Sequence, residues 1–278
     1  MTGNRPSEPS EGTAGKALKI AVAGKGGVGK TTLTSLLAGY YASQGKKVLA
    51  IDADPSPCLG PALGFPQARL EALVPLSEMA DLIAERTGSG RGGFFKLNPR
   101  VQDLPEKLSA TSDGVRLLLL GSVQQGGGGC FCPASTLLQQ LVTNLMLSRD
   151  ELVLLDLYAG VEHLGRATAD SVDAMLAVAE PTRRSLNTAL QIKQLATDIG
   201  IGNVFLVGNK VTSVEDQRFF LENPTGLPLA GVLPASGRAV LADRSGSSLW
   251  DLDPSLHPQV AAIATWIQSE LDLQAALA

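Results

Sequence analysis

The segment Gly24-Lys25-Gly26-Gly27-Val28-Gly29-Lys30-Thr31 sets its glycines and its lysine–threonine pair at the spacing G-x-x-x-x-G-K-[ST]. A run of this kind can hold a polyphosphate. Gly26, Gly27 and Gly29 let the backbone wrap so that successive N–H groups face an anion. Lys30 carries positive charge to the β- and γ-phosphates, and Thr31 offers its hydroxyl to Mg2+. Val28 and Thr32 complete the stretch expected to touch the nucleotide. A glycine-rich turn can also arise by chance. Here an apolar strand, Leu18–Ala23, leads in and an amphipathic helix, Thr31–Gln44, leads out, so the helix dipole adds to the pull on a phosphate.

Carboxylates close two further predicted strands. Lys47–Asp52 runs into Ala53-Asp54, at the strand end where open α/β sheets place ligands. With Ala53 between them, Asp52 and Asp54 are expected on opposite sides of that strand end. The apolar residues Leu152–Leu155 deliver Asp156, a carboxylate suited to holding Mg2+ through water. Four residues on, Gly160 can bring a backbone N–H to a γ-phosphate. Asn209 and Lys210 end a later strand. Asn209 carries both a donor and an acceptor, which suits a nucleotide contact as well as an ordinary turn.

Cys130 and Cys132 sit in Gly126-Gly127-Gly128-Gly129-Cys130-Phe131-Cys132-Pro133, between a predicted strand and a helix and so on the same sheet edge as the phosphate loop. Cys-x-Cys alone also describes two small core residues. The four glycines, Pro133 and the placement favour a metal site. Two thiolates are too few to close one, and a two-fold dimer supplies four. Tetrahedral sulfur points to Zn2+ or an iron–sulfur cluster, planar sulfur to Ni2+. Cys58, alone, is read as packing.

The elements that must position these groups alternate. Strands are predicted at Leu18–Ala23, Lys47–Asp52, Val115–Val123, Leu152–Tyr158, Ala174–Glu180, Asn203–Asn209 and Leu229–Leu233. Helices fit Thr31–Gln44, Gln67–Arg86, Ala134–Leu147, Arg183–Ile199, Val214–Glu222 and Pro258–Leu273. That order describes a single α/β domain, a P-loop fold with a mostly parallel sheet and helices on both faces. Residues 1–16 read as a disordered tail and 17–278 as the domain. Residues 60–113 form an insertion between strands two and three, longer than most such connections. Its stretch Gly88–Gly93 is read as a mobile loop.

Composition narrows the partners. At 44% apolar residues the chain can bury a core. A net charge of −4 and the lack of a Lys/Arg cluster argue against nucleic acid. No apolar run is long enough to span a membrane. Three cysteines and no secretory signal imply reduced thiols in the cytoplasm.

Lys25, following the first glycine, resembles the second lysine of the deviant Walker A motif in the MinD, ParA and nitrogenase iron-protein superfamily. The resemblance implies an ATP-hydrolysing homodimer in which this lysine reaches the partner's nucleotide and acts as an arginine finger does. A purely local phosphate ligand is the other reading. The segment Val48–Pro55 resembles switch I, with Asp54 orienting the attacking water and Asp52 in the magnesium shell. Residues 156–160 resemble switch II, and Asn209 resembles the superfamily's adenine reader. More specifically, Gly126–Pro133 with Glu162-His163-Leu164-Gly165-Arg166 resembles the CooC-type ATPases that mature the nickel site of carbon monoxide dehydrogenase. That resemblance implies carbon monoxide dehydrogenase as client and Cys130 and Cys132 of both protomers as ligands to Ni2+ or Zn2+. His163 is either a further ligand or a relay beside switch II. Two rivals fit less well. An iron-protein-like reductase needs a switch II cysteine where Ala159 stands. A MinD- or ParA-like positioning ATPase needs a basic membrane helix or a basic DNA face, whereas Ile267–Leu273 carries acidic residues and no Lys or Arg.

Overall fold

Strands that are apolar at nearly every position have no face to give to water, so helices must cover them on both sides. The computed structural model describes residues 18–88, 96–121, 136–137, 140–141, 143–144, 151–158, 172–223 and 225–277, and it builds a sheet of this kind. Its strands are β1 (Lys19–Gly24), β2 (Val48–Asp52), β3 (Ala110–Ser112), β4 (Val115–Leu119), β5 (Leu152–Asp156), β6 (Ala174–Ala179), β7 (Val204–Val211) and β8 (Leu229–Pro234). They lie in the order β3-β4-β2-β5-β1-β6-β7-β8. Every neighbouring pair is parallel except β3 and β4.

The helices whose bounds lie among the described residues are α1 (Lys30–Ser43), α2 (Leu59–Ala62), α3 (Gln67–Leu70), α4 (Ala80–Thr87), α5 (Leu104–Leu108), α6 (Arg183–Ile199), α7 (Val214–Glu222), α8 (Ala239–Ser245), α9 (Leu249–Leu252) and α10 (His257–Leu277). Strand side chains alternate between two cores. Ala21, Leu49, Ile51 and Val153 meet Leu186, Ala189 and Ile192 of α6 on one face. Ile20, Val22, Val48 and Leu154 meet Leu33 and Leu36 of α1 and Val260 and Ile263 of α10 on the other. Trp266 anchors α10 to β7 by an edge-to-face contact with Phe205, centroids 5.0 Å apart.

The predicted helices at 183–199 and 214–222 form with those bounds. Each has a hydroxyl cap, Thr182 accepting from the Ser185 N–H and Ser213 from the Asp216 N–H. The predicted helix over 67–86 is instead broken into α3, a 3-10 turn at Leu76–Glu78 and α4. Pro75 lacks the N–H a continuous helix would need there. The strand expected to run to Val123 ends at Leu119, before Gly121 at φ 70°. A Cβ on Gly121 would lie 2.2 Å from the Ser77 hydroxyl. The hairpin of β3 and β4 was not foreseen from the sequence. It turns on Asp113-Gly114, at φ 47° and 81°, the mirror-image turn that matches strand twist. Of the helix expected over 134–147, Thr136, Leu137, Gln140, Leu141, Thr143 and Asn144 are described and helical.

Candidate functional site

The carboxyl ends of β1, β2, β5, β6 and β7 bring the predicted groups to one edge. Gly24 closes β1 with no room for a side chain, since a Cβ would sit 2.7 Å from the Val178 carbonyl. The chain turns through Gly27 (φ 82°) and Gly29 (φ 95°), both left-handed. A Cβ on Gly29 would also meet the Asn209 amide at 2.2 Å. Gly29 enters α1 with no side-chain cap, and no acidic residue lies in the first turn. The first amides of α1 are therefore left for an anion, unlike those of α6 and α7. Lys30 is buried, its ammonium 3.5 Å from the Lys25 carbonyl. Burial pulls its pKa below the usual value, against the attraction of Asp156 and Asp54. Lys25 is exposed, and its ammonium has no partner among the described residues.

Asp52 and Asp156 are register partners on β2 and β5, and both are buried. Their roles differ. Asp52 accepts the Asp54 N–H on one oxygen and the Cys58 and Leu59 N–H groups on the other, all at 2.9 Å. It thus folds the 53–59 loop and caps α2, although burial raises its pKa against those backbone bonds. Asp54, half-buried, accepts the Ser56 N–H at 2.8 Å. The expectation that Asp52 and Asp54 point to opposite sides is not met. Alternate residues of an extended chain share a face, and both carboxylates act on Asp156.

Asp156 takes the Thr31 hydroxyl on one oxygen at 2.6 Å, while its other oxygen is buried with no partner. Burial first, then Asp52 and Asp54, push its pKa up to about 7, against the Thr31 bond and Lys30. An orphaned carboxylate oxygen beside a threonine hydroxyl is a hard-oxygen donor set that fits Mg2+. Thr31 comes from the first turn of α1 and Asp156 from the end of β5.

Asn209 is buried, and its amide donates to the Val28 carbonyl at 2.7 Å. Lys210 donates to the Gly27 carbonyl and to Glu180, each at 2.6 Å. Both predicted nucleotide residues thus hold the phosphate loop itself. Glu180 escaped the sequence reading, although its place at the end of β6 was a signal. Cys58 is exposed rather than packed, its thiol directed to the Ser56 carbonyl at 3.1 Å. The loop around Asp52 carries it outward. Gly160, His163, Cys130 and Cys132 lie outside the described residues. Among the described residues, no three His, Cys, Asp or Glu gather as a metal site, and no helix is long and apolar enough to cross a membrane.

A phosphate loop with a magnesium corner, on a parallel sheet of this order, defines a nucleotide-hydrolysing protein, and the chain belongs to the CobQ/CobB/MinD/ParA nucleotide-binding family, whose model matches residues 19–249. It is an ATPase. Within that family it groups with the CooC type. It is 43% identical to the carbon monoxide dehydrogenase accessory protein CooC of Rhodospirillum rubrum over 88% of this chain and 94% of that one. An uncharacterised ATP-binding protein of Methanocaldococcus jannaschii is 41% identical over 90% of this chain and 97% of that one. The MinD cell division protein of Aquifex aeolicus shares the fold, with a TM-score of 0.63 at 22% identity over 91% of this chain and 97% of that chain.

Proposed function

We propose that this ATPase works as a nucleotide-gated homodimer that handles nickel for carbon monoxide dehydrogenase. The observation that carries the gating is Lys25. It is an exposed cation without a partner among the described residues, on a loop whose other lysine is buried. An exposed lysine there is free to meet a second protomer's nucleotide. The 43% identity to a protein named for carbon monoxide dehydrogenase supports the client.

In this reading the amides of Gly26 to Thr32 and the Lys30 ammonium hold the phosphates. Thr31 and Asp156 would hold Mg2+, which would supply positive charge against the phosphates. Asp52 enters that shell only by sharing oxygens that already accept backbone N–H groups, so its main task is to anchor Asp54. Asp54 orients the attacking water. Gly160 offers a backbone N–H to the γ-phosphate, and Lys25 of the partner neutralises charge developing on the transferred group. Asn209 also reads the adenine through its free acceptor.

Cys130 and Cys132 of two chains would supply four thiolates for Ni2+ or Zn2+, as a reducing cytoplasm permits. The direct test is Cys130→Ser with Cys132→Ser, assayed for bound metal, ATP turnover and the nickel content of co-expressed carbon monoxide dehydrogenase. The expected result is loss of metal and of client nickel with ATP binding intact. Tight metal binding in the double variant would move the ligands elsewhere, His163 first. An iron–sulfur absorption band in the purified protein would favour an electron-transfer role instead.

A further inference from the structure

Lys210 is one of two non-glycine residues with positive φ among the described residues, at 57°. A left-handed lysine in a strand is uncommon, and such an outlier asks for a compensating purpose. Fold stability does not supply one. The side chains of the Lys210–Glu180 pair are 49% and 32% exposed, the range in which ion pairs contribute little. What the conformation does achieve is reach. The ammonium lies 2.6 Å from the Gly27 carbonyl and 2.6 Å from the Glu180 carboxylate. Glu180 is itself fixed, its N–H donating to the Ser185 hydroxyl at the start of α6.

Gly27 needs outside support. Gly26 and Gly27 are exposed, and a Cβ at either would meet nothing within 4 Å. Two glycines in open space have wide conformational freedom, which binding a phosphate must remove. In a trans peptide the N–H lies opposite the C=O. Holding the Gly27 carbonyl from outside therefore fixes the plane of the peptide whose Val28 N–H turns back to the Lys25 carbonyl at 3.3 Å, and Asn209 fixes the next peptide, which carries the Gly29 N–H, through the Val28 carbonyl.

We propose that Lys210, held by Glu180, is a positioning residue that pre-sets the phosphate loop, and that the pair raises nucleotide affinity without touching the nucleotide. Pre-organisation of this kind acts alike on ADP, ATP and the transition state, so it appears in binding and KM rather than in kcat.

The test uses Lys210→Gly, Glu180→Gln and the double variant of the full chain, titrated with Mg·ADP and assayed with Mg·ATP. Glycine accepts φ 57° without strain, so Lys210→Gly removes the ammonium and leaves the backbone at ease. Its urea midpoint should equal or exceed that of the parent. A stabilised variant with about tenfold weaker Mg·ADP binding, about tenfold higher KM and kcat within about twofold is the expected result, tenfold being the equivalent of roughly 1.4 kcal/mol. Glu180→Gln should weaken binding in the same direction, and the double variant should lose no more than Lys210→Gly, because the two act as a unit. Parental affinity in Lys210→Gly would overturn the proposal. So would additive losses in the double variant, or an unaffected Glu180→Gln, since either makes Lys210 a direct nucleotide contact.

Discussion

Asp156→Asn should make the nucleotide-free protein more stable while removing its response to magnesium. The side chain is buried with one oxygen unpartnered, and its pKa stands at about 7 against an ordinary 3.8. At roughly 1.4 kcal/mol per pH unit, the ionised form costs the folded state about 4 kcal/mol above pH 7. The sign follows from proton binding. Below pH ~4 the group is protonated in both states and costs nothing. Between pH ~4 and ~7 the folded state holds the proton that the unfolded chain has lost, so stability falls as pH rises, then levels off. Asparagine carries no charge and can still accept the Thr31 hydroxyl. Its NH2 then occupies the orphan position, at a cost of about 1–3 kcal/mol. The net gain at pH 8 should be about 1–3 kcal/mol. It should exceed the gain at pH 5 by roughly 2 kcal/mol, because the wild-type cost has not fully developed there. Urea unfolding in EDTA without nucleotide, followed by Trp250 and Trp266 fluorescence, reads both values. Magnesium should no longer tighten ATP binding in the variant. A variant less stable than wild type at pH 8, or a difference independent of pH, would refute the account of Asp156 as a strained acid waiting for a cation.

Other substitutions separate the remaining roles. Lys25→Ala should bind ATP as a monomer but neither dimerise nor hydrolyse it efficiently, with a loss of about 10³-fold or more that size-exclusion chromatography and turnover assays report together. Asp54→Asn should keep ATP affinity and slow single-turnover hydrolysis by about 10²-fold or more, since the amide cannot take up the water's proton. Gly29→Ala should remove nucleotide binding, because φ 95° and the Asn209 amide 2.2 Å from the new Cβ leave no place for it; calorimetric titration with ADP checks this.

The phosphate loop was legible because its chemistry is contiguous: amides, lysine and threonine must follow one another along a strand–turn–helix. Asp156 was legible for a similar reason, as a carboxylate closing an apolar strand. Asp52 was harder. A carboxylate at a strand end reads as a ligand, and only the folded loop reveals three backbone N–H groups converging on it. Asn209 and Lys210 were found at the right edge. Their grip on the Val28 and Gly27 carbonyls depends on the β6–β7–β1 neighbourhood, which local pattern does not encode. Glu180 was missed for the same cause. The periodic stretch after Gln67 does not form one helix because Pro75 interrupts it, and the Asp113-Gly114 turn closes a hairpin whose first strand, Ala110–Ser112, is too short to show a strand pattern.

The central claim is that two chains share one metal and that nucleotide controls the sharing. Equilibrium dialysis of Ni2+ or Zn2+ against several protein concentrations, without nucleotide, with ADP and with a non-hydrolysable ATP analogue, tests it most directly. The account predicts one metal per two chains, affinity that rises with protein concentration, and a nucleotide-dependent shift that linkage returns as a metal-dependent shift in nucleotide affinity. One metal per chain, or an affinity indifferent to both concentration and nucleotide, would contradict it.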